Sequence, residues 1–572
     1  MYFPQLSTPR QSRVTVSRFL GLDRRPRGQE GSFREMENLC ADGYPTLTVR
    51  RPRGVAGSAV SPGGLTVKEG LIWLDGHTLY INGSAAGLAL SEGRKQLISM
   101  GAWLLIWPDK AYINTKDLTD FGSLENKRVT EGEVSFALCR PDGTVYSGYL
   151  AADEAPEEPE AGSLWLDTGG DETALRQYGQ DGWTAVDDVC VRMNAAGIGI
   201  GFTAGDGVAV SGCRETALNG SFPLRSVEDD YVVVTALPRS LSSQSDPVTV
   251  ERSVPDMDYV VESGNRLWGC KYGIVNGQAV NAIYASKLGD FKNWNCYAGL
   301  STDSYAASRG SDGAFTGAAD YLGNPLFFKE NCVERVYPSA SGAHQIVTVQ
   351  CAGVKSGSSG SLRVVDGKLY YHSQGGVCVF DGSMPVHVSQ ALGEMRYHNA
   401  VAGALDGSYY LSAADENGAW HLLVLDTRQG LWYREDGVEA VGFAPWGGDL
   451  YCLTAAGQLL AMKGSGENRE GPVQWLAETG ELGLDAPESR YLVRLSLRLL
   501  PEADSTVRAW VSYDEGGSWQ PAGSLEGAGR VQACTLHIRP RRCRQLRLRL
   551  TGRGGCRIYS LTAVYEKGSD GP

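Results

Sequence analysis

The chain has 572 residues, of which 42% are hydrophobic and 9% aromatic, and a formal net charge of −13. That length is too great for one small core, so two or three folded units are expected. The acidic balance argues against a polyanion-binding or sequence-specific nucleic-acid protein. No run of about 18 apolar residues occurs, which argues against a membrane-spanning helix.

The first 60 residues show neither helical nor strand periodicity. Turns, Pro and Arg alternate through "GLDRRPRGQEGSFREMENLCADGYPTLTVRRPRG". This reads as an extended arm that orders when laid on a partner surface, its own chain or a neighbouring subunit. The opening "MYFPQLSTPRQSRVTVSRF" lacks an apolar core and a small-residue cleavage site, so it does not read as a secretory signal.

From residue 65 a β-unit recurs: apolar strand, tight Gly/Asp/Asn turn, apolar strand. Copies include "GLIWLDGHTLYING", "GAWLLIWPDKAYINT", "DGKLYYHSQGGVCVFDG" and "GGDLYCLTAAGQLLAMKG". Such units cannot bury their own faces and must stack, so a repeat of roughly 40–50 residues predicts a closed array. Seven units are counted, over 61–126 and again over 259–465.

The pattern breaks over 127–258. "SLWLDTGGDETALRQYGQDGWTAV" is a short meander, and "DYVVVTALP" holds an apolar strand. These read as small β-modules set into a propeller loop, with the acidic "AADEAPEEPE" (151–160) as part of a hinge. Over 470–572 the strands alternate strictly. Leu546, Leu548 and Leu550 take one face and Arg547 and Arg549 the other, as in a two-sheet sandwich with solvated outer faces. The predicted fold is all-β: a roughly seven-bladed β-propeller with an inserted small β-module and a C-terminal β-sandwich.

No motif selects a catalytic chemistry. "SYDEGGSW" (Ser512–Trp519) has the Asp-box form, which is a hairpin device in which Asp caps the turn and Trp packs beneath. Asp303, Asp320, Glu330, Glu435 and Asp436 could supply a carboxylate pair, but no spacing selects one. The seven His never form HxH or HExxH, and the 13 Cys show no CxxC, so no metal site and no cofactor are expected. Those thiols read as reduced and half-buried. "GIGIGFTAG" (Gly197–Gly205) lacks the following helix of a phosphate cradle. "DENG" (Asp415–Gly418) and "DGS" (Asp381–Ser383) read as hairpin turns before calcium loops. Trp165, Tyr178 and Trp183 are candidates for stacking sugars, against a simpler reading as the insertion's own core.

Two segments carry a family resemblance. Asn265–Trp294, ending Tyr284, Ser286, Gly289, Asp290, Trp294, resembles a blade of phage tail and head–tail proteins. The arm, with Phe19–Asp23, "MENL" (Met36–Leu39) and Asp42–Gly54, resembles the opening of virion proteins from phages and prophages of gut Firmicutes. These are similar in layout to the propeller-bearing tail hub, nozzle or stabilisation proteins of short-tailed phages. The resemblance implies a virion component made in the host cytoplasm and located at the tail or head–tail vertex. Its partners would be copies of itself in a symmetric ring and other tail or connector proteins. No catalytic residue is carried over, so the chain is expected not to be an enzyme. The alternatives are a module that binds host-surface glycan and, behind it, a propeller glycosidase.

Overall fold

Turn residues cut this chain into short strands. The computed structural model describes residues 11–26, 28–170, 172–466, 468–482, 490–513, 518–539, 542–543 and 546–567; among them are β-strands, three single-turn 3-10 segments and no α-helix. Among the described residues no helix is long and apolar enough to cross a membrane. The chain divides into two compact units. One runs up to Arg94, takes in Phe328–Val333 and resumes from Val349; the other is Lys95–Phe327 with Glu334–Thr348.

The recurring unit is a four-stranded antiparallel meander, the blade of a β-propeller. In the first unit the blades are Pro62–Ala89, Arg363–His387, Tyr397–Glu435 and Ala440–Ala461. The last of these is extended by Gly54–Ser58, which pairs with Gln458–Ala461 as Leu460↔Val55. In the second unit the blades are Gln96–Ser123, Tyr259–Ser308 and most of Gly317–Gln350. The innermost strands of chain-adjacent blades pack on one another within each unit. These are the blades of the predicted propeller, four described in the first unit and three in the second. One blade's apolar face is closed by the next, as with Trp268, Ile283, Phe315 and Phe327.

The inserted module follows the strand Phe121–Ser123. A seven-stranded sheet carries Val191, Met193, Val208, Val232 and Val250 into one core with Leu166 and Leu175 of a small four-stranded sheet. The acidic stretch is not a hinge between domains. It is the crossover within that small sheet, joining the parallel strands Tyr149–Ala152 and Leu164–Asp167, and Thr168 donates to Asp153 at 2.6 Å. Parallel neighbours need a long connection, and an acidic, Pro-containing one stays in water.

The C-terminal sandwich has a seven- and a five-stranded sheet enclosing Leu492, Leu495, Leu497, Leu546, Leu548 and Leu550. Arg547 and Arg549 do point to the other side, where Glu478 accepts from both at 3.1 and 2.8 Å. Trp519 lies under the two guanidiniums, 5.2 and 4.0 Å from its ring centroid. The middle of the Asp-box sequence, residues 514–517, lies outside the described residues.

The arm is built into its own chain. Gln11–Val16 pairs with Cys556–Lys567, Phe33–Glu37 with Gln474–Thr479, and Leu47–Val49 with Cys556–Lys567. Phe19, Leu22, Met36 and Leu39 are buried in the same core as Tyr409 and Trp432 of the propeller. The "MENL" segment works as a splice. Glu37 pairs with Arg434 at 2.8 Å, and Asn38, at φ 59°, donates to the Gln474 carbonyl and accepts from the Asp436 N–H.

Candidate functional site

Two constellations stand out in the first unit. The first is an ion-pair lattice from the "VRRPRG" segment. Arg50 reaches Asp436 at 2.9 Å and Glu470 at 2.7 Å, and Arg53 reaches Glu435 at 2.9 Å and Asp436 at 3.1 Å. Both guanidiniums are buried, and so is Glu435. Burial opposes the charge on Arg53, but Glu435 and Asp436 outweigh it and raise its pKa. These acids are therefore spent on holding the arm to the Tyr397–Glu435 blade.

The second is a cavity of about 890 Å³ at one end of the Arg363–His387 blade. Three connections form it: the loop from Lys355 to Ser358, the hairpin turn at Ser373–Gly376, and the long crossing from His387 to Tyr397. Antiparallel strands place the second hairpin turn and the crossing to the next blade at the same end of the sheet. The turn needs glycine. A Cβ on Gly375 would stand 2.7 Å from the His387 ring, and one on Gly376 (φ +113°) 2.2 Å from Ser389 Oγ, which accepts from the Val377 N–H.

His372, Val377, Leu392 and Tyr397 are buried and form the floor; Gln374, Glu394, Met395 and Arg396 are exposed at the mouth. Lys355 Nζ donates to the Tyr397 carbonyl at 2.7 Å. His372 Nδ1 meets Ser358 Oγ at 3.2 Å. Burial, reinforced by Lys355 and His398, lowers the His372 pKa to about 4, so the imidazole is neutral at pH 7. His387 leans on the buried Cys378 thiol, with Nδ1 3.3 Å from the sulfur, but burial raises that thiol's pKa and the pair holds no thiolate.

The carboxylates singled out from sequence are not brought into one pair. Asp303 accepts from the Leu300 N–H, Asp320 from Ser263 Oγ at 2.6 Å, and Glu330 from Gln374 and the Ser356 N–H. Glu435 and Asp436 sit in the arginine lattice. Among the described residues no His/Cys/Asp/Glu group has metal-binding geometry. "DENG" is a turn whose Asp415 accepts from the Asn417 and Ala419 N–H groups, and Asp381 caps "DGS" through Ser383. In "GIGIGFTAG" the glycines allow close backbone approach, since a Cβ on Gly199 would stand 1.9 Å from the Glu228 carbonyl.

Trp165, Tyr178 and Trp183 do come together. Trp183 is 5.4 Å from Trp165 and 5.3 Å from Tyr178. Trp165 is buried, donates to the Ala152 carbonyl and carries Arg176 over its ring; Tyr178 and Trp183 are half-buried. The cavity residues had no local signal: His372 and His387 fit no ligand spacing and meet only because a hairpin folds back. The one hint was a pair of glycine-bearing polar connections, "SQGG" and "LGEMR", in neighbouring positions of one repeat.

No protein family and no curated protein matches the chain. Among solved structures it is similar to an exo-β-1,3-galactanase from Phanerochaete chrysosporium, at 9% identity over 53% of this chain and 94% of that one, TM-score 0.20. It is similar to PorZ, a surface component of the type-IX secretion system of Porphyromonas gingivalis, at 11% identity over 88% and 82%, TM-score 0.26. It is also similar to the endosialidase of phage phi92, at 9% identity over 73% and 63%, TM-score 0.23. Several of the matching structures are glycoside hydrolases, and this overturns the expectation that the chain is not an enzyme. At such identity no activity transfers from them.

Proposed function

We propose that this chain is a structural component of a phage particle. Its place is the tail or the head–tail vertex, where it works as a hub, nozzle or connector protein. Several copies surround the tail axis and bind one another and other virion proteins, and assembly takes place in the bacterial cytoplasm. The observation that carries this reading is the interlocking of the chain's two ends. Gln11–Val16 and Leu47–Val49 are strands of the sheet that holds Cys556–Lys567, and Arg50 and Arg53 bolt the same arm to the propeller. A pull along any of these strands loads a whole ladder of hydrogen bonds at once, which suits a part that must hold shape under stress. Leu47–Val49, Arg50 and Arg53 of this junction fall within Asp42–Gly54, one of the segments that resemble virion proteins.

Immunogold labelling of induced particles with antibody against the chain tests the reading. Gold at the tail or the head–tail vertex is the expected result. Unlabelled particles alongside free protein in the supernatant would overturn it.

A further inference from the structure

The cavity of the Arg363–His387 blade is built for a ligand, and its chemistry narrows the class. Its volume of about 890 Å³ falls within the ~300–1,000 Å³ of small-molecule sites. Its wall mixes three kinds of group, cationic, polar and apolar, with Glu394 exposed at the mouth. Lys355 and Arg396 are cations with no carboxylate at ion-pair distance among the described residues, unlike the buried Arg50 and Arg53. Lys355 is fixed by the Tyr397 carbonyl, so its remaining N–H groups are held in place for a ligand. Gln374 and Gln390 donate their amide N–H groups to Glu330 and to the His387 carbonyl, which leaves their side-chain carbonyls to accept from a ligand, and buried His372 has one ring nitrogen on Ser358 and the other with no partner among the described residues. Val377, Leu392 and Met395 supply apolar surface between them.

A flat apolar ligand would cover the second imidazole nitrogen and the amide carbonyls without giving them a partner, which is costly. A compact polyphosphate would leave the apolar floor unused. A ring with hydroxyls at its edge, CH groups on its face and one negative group satisfies all three kinds of lining. We propose that this cavity binds a sugar residue bearing a carboxylate, within a short acidic glycan. Lys355 and Arg396 take the carboxylate, His372, Gln374 and Gln390 the hydroxyls, and Val377, Leu392 and Met395 the ring face. This goes beyond a place in a particle and does not depend on it, because the purified chain suffices to test it.

The test is calorimetric titration of the full chain with tri-galacturonate and with sialyllactose. Lactose serves as the neutral control and glucose 6-phosphate as the phosphate control. At least one acidic sugar should bind about tenfold or more tighter than lactose. Arg396→Gln, at an exposed position, and Lys355→Gln should each weaken that binding about fivefold or more, with the melting temperature of Arg396→Gln unchanged. No heat from either acidic sugar, equal binding of lactose, stronger binding of the sugar phosphate, or full affinity in Arg396→Gln would each overturn the proposal.

Discussion

Arg53 Nη2 lies 2.9 Å from Glu435 Oε2, and both side chains are buried although 382 residues separate them in sequence. The pair sits where the end of the arm crosses the outer strand of the Tyr397–Glu435 blade. A buried pair of this kind resists loss of one partner far more than loss of both, because a single deletion strands a charge away from water. Glu435→Gln should therefore cost about 3 kcal/mol in urea unfolding, with half-exposed Asp436 and Glu470 left as the counter-charges near Arg53. The double change Arg53→Met, Glu435→Leu should recover much of that loss, and a double-mutant cycle measures how much.

Gly21 has φ +72°, and a Cβ there would stand 2.4 Å from the Trp432 carbonyl that accepts the Leu22 N–H. Gly83 has a similar φ of +82° with open space around it. Gly83→Ala should cost only the left-handed penalty, about 1–2 kcal/mol. Gly21→Ala should cost more and should loosen the arm. Limited trypsinolysis checks this: cleavage after Arg24 should accelerate in Gly21→Ala and not in Gly83→Ala.

His372 should make stability fall with acid. Its folded pKa is about 4 against 6.5 for an ordinary imidazole, so between these values the unfolded chain binds a proton that the folded chain does not. The stabilisation is complete above pH 6.5 and is lost as pH falls toward 4, at up to about 1 kcal/mol per pH unit. Urea midpoints at pH 7, 5.5 and 4.5 should show this slope, and His372→Gln should flatten it.

The core thiols should be inert. Burial pushes Cys139, Cys452 and Cys556 each up to about 12. Only the thiolate reacts, so alkylation by iodoacetamide at pH 8 should leave all three unmodified in the folded protein and should modify them in urea. Mass spectrometry of tryptic peptides reads both states.

Much of the architecture was open to reading because its signals are local. "DGKLYYHSQGGVCVFDG" shows two apolar strands and a turn to anyone who counts alternation, and the strand bounds Lys368–Ser373 and Gly376–Phe380 follow it. Leu546, Leu548 and Leu550 named the sandwich face for the same reason: side chains alternate across a strand. The acidic stretch was misread because composition reports that a segment stays in water, not which two strands it joins.

The amino-acid sequence alone determined the all-β class, the repeat and its turns, since each depends on residues a few positions apart. Only the tertiary structure decided that the arm belongs to its own sandwich and propeller, with Gln11 opposite Glu566 and Arg50 on Asp436. Only it gathered Lys355, His372 and Arg396 around one cavity. Backbone hydrogen bonds and ion pairs are open to any partner of matching geometry, and the choice among them is made by the burial of the whole core at once.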